Sequence, residues 1–308
     1  MTTETGTTTR IPGASTAERV QPGRDLLWRI VSSGIFAKIL VGVVIVTVWQ
    51  MGMDSLGSNF DYVARPTGIF EAIPVTIAPE WYFTTFLNTP EAYTPIVQAA
   101  HERFMAGIVS TMGAIFVGLF IALVAGTIVG VLMGRIKAVD RLLNFYVIAF
   151  YAMPMVAIVP VVVNWFGSSG GGTRMAIILF AGFFSITLNM ADGARATPPE
   201  YLDVAKAYRA KPWNVWFGIA IPAAMPYLLA GIRLAAGRAL VGAVIAEMLT
   251  GTPNSLGNFI LLEAGNLRYN EAFVAVLVLS FFGVGIEVVL NWSTRMFLPW
   301  YRREGRGQ

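Results

Sequence analysis

Three charged residues fall within one apolar stretch of the chain, Arg233, Arg238 and Glu247. Guanidinium and carboxylate groups in such a setting can hold an ion pair or meet a charged solute. Each costs about 2.5–3.5 kcal/mol at the centre of a membrane helix, so by default it faces the bundle interior or water. At about 1.5 Å per residue, Arg238 lies roughly 7.5 Å deeper than Arg233. Glu247 is about 13 Å further along and on nearly the opposite helix face, so it is not an intrahelical partner of Arg238. Two roles stay open for Arg238: an internal ion pair or snorkelling, and an electropositive point lining the path of an anionic substrate. With Asn164 and Glu247 it forms the candidate translocation path. Asn164 and Asn189, at span ends, also suit helix caps.

Other chemistry is excluded by composition. The chain has no cysteine, which removes disulfides, thiolate metal sites and a cysteine nucleophile. A single histidine, His101, leaves neither paired-His haem ligation nor an HExxH zinc site. No nucleophile–His pair and no paired carboxylates occur in the apolar stretches, so no catalytic residue, metal ligand or bound cofactor is expected. The segment Gly167-Ser-Ser-Gly-Gly-Gly-Thr173 lacks the Gly-Lys-Ser/Thr ending of a phosphate-binding loop and reads as a flexible loop. No other segment carries such a loop, so any ATP must be bound by a partner.

The elements that position these residues are membrane spans. Apolar residues make up 56% of the chain and charged ones 13%, against roughly 45–50% and about 25% in soluble domains. The excess is clustered into six runs of about 20 residues, at 35–52, 105–133, 143–166, 175–190, 224–249 and 272–292. Lys and Arg concentrate before the first run, between the second and third, after the fourth and after the sixth, which places both termini in the cytoplasm. The opposite side holds the acidic segment 54–104, whose Trp81-Tyr-Phe-Thr-Thr-Phe86 suits the interfacial belt. Residues 1–24 read as a disordered tail, 25–53 as the first span with its lead-in, 105–295 as the core and 296–308 as a second tail. The net charge of +4 is that of a cytoplasmic face, with no indication of nucleic acid. Pro154 and Pro160 bend the third span, since each removes a backbone hydrogen bond. Gly126, Gly130 and Gly134 form a small-residue row on the second span, which lets another helix approach closely, either within the bundle or at a dimer seam.

Between the fourth and fifth spans lies a polar segment, 197–222. Thr197 and Glu200 have capping-box spacing with Pro198 at the first helical position, and Lys211 before Pro212 ends the helix. Tyr201, Val204, Ala205 and Tyr208 recur at helical spacing and give one apolar face. An exposed amphipathic helix on a membrane protein has a partner.

This segment resembles the EAA loop of binding-protein-dependent ABC importer permeases: Glu-Ala-Ala, three residues, Gly, nine residues, Ile-x-Leu-Pro. Here Asp203-Val204-Ala205 is followed by Arg209 at the glycine position, Ala210, and then Ile219-Ala220-Ile221-Pro222. Arg209 departs from the pattern, because Arg resists the left-handed backbone that glycine accepts. The resemblance runs from about Ala64 to Pro299 and is greatest to the sulfonate, taurine and nitrate group. Arg65-Pro-Thr67, Pro154-x-x-Ala-x-x-Pro160, Asn164-Trp-Phe-Gly167, Pro226 with Gly231-Ile-Arg233, and Ala246-Glu247 support it. It implies an all-α bundle of six spans of the type I importer kind in a bacterial inner membrane. It also implies a homodimer of this chain, two cytoplasmic ATPase subunits carrying Mg-ATP, and an extracytoplasmic binding protein that delivers a small solute. The ATPase would be coupled through Glu200, Tyr201, Asp203, Val204, Ala205, Tyr208, Arg209, Ala210 and Pro222. A secondary transporter driven by an ion gradient is the alternative. It would carry mid-span acidic groups and inverted repeats with broken helices.

Overall fold

The computed structural model describes residues 34–55, 63–80, 82, 94–168 and 171–297. Among them every regular element is helical. The chain divides into two units, Met1–Gly57 and Ser58–Gln308. The first contains α1, Gly34–Ser55, which is apolar around its circumference, as a membrane span is. Its mid-helix hydroxyl, Thr47 Oγ1, donates to the Val43 carbonyl at 2.8 Å and so is itself satisfied.

The second unit is organised by three long helices, α3 (Pro95–Arg135), α6 (Gly171–Arg195) and α9 (Ile221–Thr250). Glycines on α3 set their contact. A Cβ on Gly126, Gly130 or Gly134 would come within 3.0, 2.7 or 2.5 Å of Ile186, Met190 or Ala194 respectively. Gly118 meets Ile178, and Ala122 meets Gly182, in the same way. Each fourth residue of α3 thus faces each fourth residue of α6 at constant offset, so the two helices run parallel with their backbones close. The glycine row is therefore filled within this chain, by α6. On its other side α6 meets α9 in the opposite sense: Gly193 lies on Ala224 and Tyr227, Gly231 on Asn189, and Gly242 on Ile177. Ala122, Val131, Ile186, Met190, Ala224, Leu228 and Ala235 form the buried apolar cluster among the three.

Because α3 and α6 are parallel, the chain between them must return along their length. It does so as two helices, α4 (Lys137–Ala152) and α5 (Met155–Phe166), bent by 104°. The single third span expected at 143–166 is therefore broken. Pro154 has no N–H and steers Met153 to φ −69°, ψ 132°, outside the helical region. Pro160 lies inside α5 without ending it. Among the described residues five helices are long and apolar enough to cross a membrane, and the bent pair taken as one span makes six.

Two other expectations change. Gly171 and Gly172 belong to α6 rather than to a loop, and Thr173 Oγ1 donates to the Gly167 carbonyl at 2.7 Å. Gly167 itself takes φ 81°, which glycine adopts freely. The fifth span is longer than 224–249, because α8 (Pro212–Val215), a π turn (Trp216–Ala220) and α9 form one run of 39 residues. Within the turn Ile221 N–H donates to the Trp216 carbonyl, five residues back. This extra residue makes room just before Pro222, whose ring would otherwise press on the preceding turn.

In the segment 54–104, α2 (Pro66–Ile77) is tied to the start of α11 (Tyr269–Phe297), where Arg65 N–H donates to Asn270 Oδ1 at 3.3 Å. The aromatic run 81–86, apart from Tyr82, lies outside the described residues, as do 1–24 and 298–308.

Candidate functional site

The polar segment forms helix α7, Pro199–Ala207. Its N-cap is Pro198 and carries no side-chain cap. The capping box expected from Thr197 and Glu200 does not form: Thr197 is buried, and its hydroxyl donates back to the Ala194 carbonyl at 3.1 Å. Thr197 thus closes the end of α6, satisfying one of its orphan carbonyls instead of opening α7. Glu200 remains in the first turn and Lys206 in the last, each favourably placed for the helix dipole. The exposed Asp203–Lys206 pair, 2.9 Å apart, adds little.

The C-terminus is a Schellman motif. Arg209 N–H donates to the Lys206 carbonyl and Ala210 N–H to the Ala205 carbonyl, both at 2.9 Å. Arg209 supplies the left-handed residue, with φ 49°. The glycine position of the EAA pattern is therefore the position that ends this helix, and Arg209 holds the same backbone geometry at a steric cost. Arg209→Gly should stabilise the chain by about 1 kcal/mol, the relief of left-handed strain offset in part by the freer unfolded backbone. The thermal midpoint of the purified protein measures it. A lowered midpoint would mean that the guanidinium contributes more than the strain costs.

The expected apolar face splits in two. Tyr201, Val204 and Tyr208 are 58%, 58% and 84% exposed, whereas Ala205 is 6% exposed. Ala205 therefore seats α7 on its own chain and does not belong to the outward face, because one helix face turns inward at every third to fourth residue. Beyond Lys211, extended at φ −63°, ψ 146° ahead of Pro212, the Trp213 and Phe217 rings meet at a tilt with centroids 4.2 Å apart and are also exposed. These two aromatic residues extend the apolar patch that periodicity had placed on α7 alone. Their signal was the i, i+4 spacing.

The three candidate path residues do not come together. Arg238 is half-buried, with Cζ 4.2 Å from the centroid of the Tyr151 ring, and Nη2 donates to the Tyr151 carbonyl at 2.9 Å. That carbonyl is one of the orphan acceptors at the C-terminal end of α4, where a cation is favoured. An open cleft of about 750 Å³ beside it runs along the α4–α5 break and α9, with Arg233 and Arg238 the charged residues of its lining. Neither Asn164 nor Glu247 lines this cleft. Asn164 is exposed near the end of α5. Arg233 pairs with Glu287 on α11 at 2.9 Å.

Glu247 is fully buried. Its carboxylate accepts from Thr111 Oγ1 at 2.9 Å, Arg174 Nη1 at 3.0 Å and Gly257 N–H at 2.9 Å. These groups come from α3, α6 and the first turn of α10 (Leu256–Gly265). The site ties four helices together, and the N-terminal amides of α10 add to the arginine in neutralising the charge. Arg174 escaped the sequence reading. The available signal was a lone arginine at the head of an apolar run, a position that calls for a partner.

The chain matches the family described as binding-protein-dependent transport system inner membrane component over residues 114–303. It belongs to this family. The permease is 26% identical over 208 residues to the formylaminopyrimidine transport permease protein ThiX of Halalkalibacterium halodurans, covering 68% of this chain and 82% of that protein. It is also 26% identical over 176 residues to the putative aliphatic sulfonates transport permease protein SsuC of Bacillus subtilis, covering 57% and 63%. In fold the permease is similar to a chain of the MetNI methionine ABC transporter in an inward-facing conformation, with TM-score 0.55 and 20% identity over 63% of this chain and 96% of that one. The permease is thus a multi-pass inner-membrane component of a binding-protein-dependent transport system.

Proposed function

We propose that this permease works as a homodimer in a bacterial inner membrane, takes a small anionic solute from an extracytoplasmic binding protein, and is driven by two cytoplasmic ATPase subunits that carry the Mg-ATP. The observation that carries the reading is α7: a short helix with a defined stop whose Tyr201, Val204 and Tyr208 side chains stand out from a chain that has no phosphate-binding loop of its own. An apolar face of this kind is suited to a cleft on another protein. Glu200, Asp203, Arg209 and Ala210 flank that face and shape its ends. Pro222 lies in the first turn of α9, within the continuous run from Pro212 to Thr250, so a displacement at α8 is passed to α9 as a stiff element. Alternating access then needs a bundle with two states that the ATPase biases by several kcal/mol. Arg238 supplies the positive point on the path of the anion. The secondary-transport alternative would require a mid-span acidic group open to water, whereas Glu247 is sealed within its ion pair.

Val204→Asp tests the reading, since Val204 is outward-facing and Ala205 is not. An unpaired charge at the centre of an interface costs several kcal/mol. The variant should remain folded and membrane-inserted but lose its ATPase subunits on purification, together with stimulated hydrolysis. Wild-type retention of both would remove α7 as the coupling surface.

A further inference from the structure

We infer that the cleft at the α4–α5 break is a site for organic anions with an apolar body, and that Arg238 selects their anionic head. This rests on the transport reading above and narrows its solute class. The walls are Ala152, Met153, Val156, Leu234, Val241 and Ile245, which offer apolar surface and no hydrogen-bonding side chain. Of the two guanidinium groups in the lining, Arg233 is matched by Glu287 at 2.9 Å. Arg238 has no carboxylate within ion-pair distance among the described residues. It donates one hydrogen bond, to the Tyr151 carbonyl, and its other N–H groups meet no acceptor among the described residues.

The combination is selective in both parts. A guanidinium twelve residues from the end of a membrane helix is costly without an anion. Held on the Tyr151 ring and carbonyl, it is already oriented, so an oxyanion can engage the free N–H groups with little further ordering. A small inorganic anion would gain that contact but leave the apolar walls against water. A neutral apolar molecule would gain the walls but leave the guanidinium unmatched. An anion with an apolar body satisfies both, and the volume of about 750 Å³ is that of a small-molecule site.

The chain has no cysteine, so Met153→Cys places a single thiol on the cleft wall. Full-length Met153→Cys permease in nanodiscs of phosphatidylcholine, which present no anionic headgroup, is alkylated with neutral N-ethylmaleimide. Benzenesulfonate should slow alkylation at concentrations where nitrate and benzyl alcohol do not. Adding Arg238→Gln should raise the half-protecting benzenesulfonate concentration at least about tenfold, the loss expected for a charge-assisted hydrogen bond. Arg238→Lys should fall between the two, since it keeps the charge without the fork geometry. Equal protection by nitrate, or by benzyl alcohol, would overturn the selectivity, and the Arg238-intact protein alone suffices for that comparison if Arg238→Gln does not fold. Unchanged protection in folded Arg238→Gln would remove Arg238 from the site. ATPase retention measured on the same preparations separates the two readings: an unprotected thiol with the ATPase retained overturns the cleft and leaves the transport function standing.

Discussion

Glu247→Gln should destabilise the permease by about 3–5 kcal/mol, a large part of the 5–15 kcal/mol typical of a folded domain. The substitution keeps the shape of the side chain and an oxygen for Gly257 N–H and Thr111. It removes the charge that neutralises Arg174, whose side chain is 13% exposed and lies 3.0 Å from the carboxylate. The Ser110 hydroxyl, also 3.0 Å away, would then be the main remaining partner of a buried guanidinium. Thermal unfolding of the purified protein measures the effect. Arg174→Gln combined with Glu247→Gln should recover part of the loss, because the penalty comes from the orphaned charge more than from the missing pair. An unshifted midpoint in Glu247→Gln would mean that the four-helix tie contributes nothing.

Gly130→Leu should prevent the bundle from assembling. A Cβ at this position falls 2.7 Å from both Met190 Cβ and the Thr187 carbonyl oxygen. A backbone atom cannot step aside as the end of a flexible side chain can, so α3 and α6 must part. Gly130→Ala already overpacks, at a cost of about 1–3 kcal/mol, and the larger side chain adds to it. Gly113, on the same helix, has nothing within 4 Å of its added Cβ. Gly113→Ala should therefore be neutral, or stabilising by about 0.5–1 kcal/mol through helix propensity. The measure is the yield of monodisperse protein after extraction. Equal yields for Gly130→Leu and Gly113→Ala would show that the row does not set the approach of the two helices.

The apolar runs, the short polar helix between the fourth and fifth of them, and the small-residue row were all legible in the sequence. Each depends on local properties: span length against bilayer thickness, a period near 3.6 residues, and a glycine every fourth position. The bend at Pro154 was also local in origin, since a missing N–H and a ring clash act on the adjacent turn. Its size of 104° was not, because that depends on where α4 and α5 find packing partners. Arg209 illustrates the same boundary. Its place in the EAA spacing was readable, but only the backbone reveals that Arg adopts φ 49° there, held by two hydrogen bonds across the helix end.

Partner choice was decided by tertiary structure alone. Glu247 and Arg174 are 73 residues apart, and Arg238 and Tyr151 are separated by 87. A charge in an apolar run signals that it needs a partner, and nothing in its neighbourhood says which helix will bring one. The Thr197 hydroxyl likewise had two uses open to it, the start of α7 or the end of α6, and the close of α6 took it. Ala205 turned inward and Tyr201 outward although both belong to the same apolar set. Hydropathy and period determine that a face is apolar, while what covers it follows from how α3, α6 and α9 pack, and that packing is a property of the whole chain.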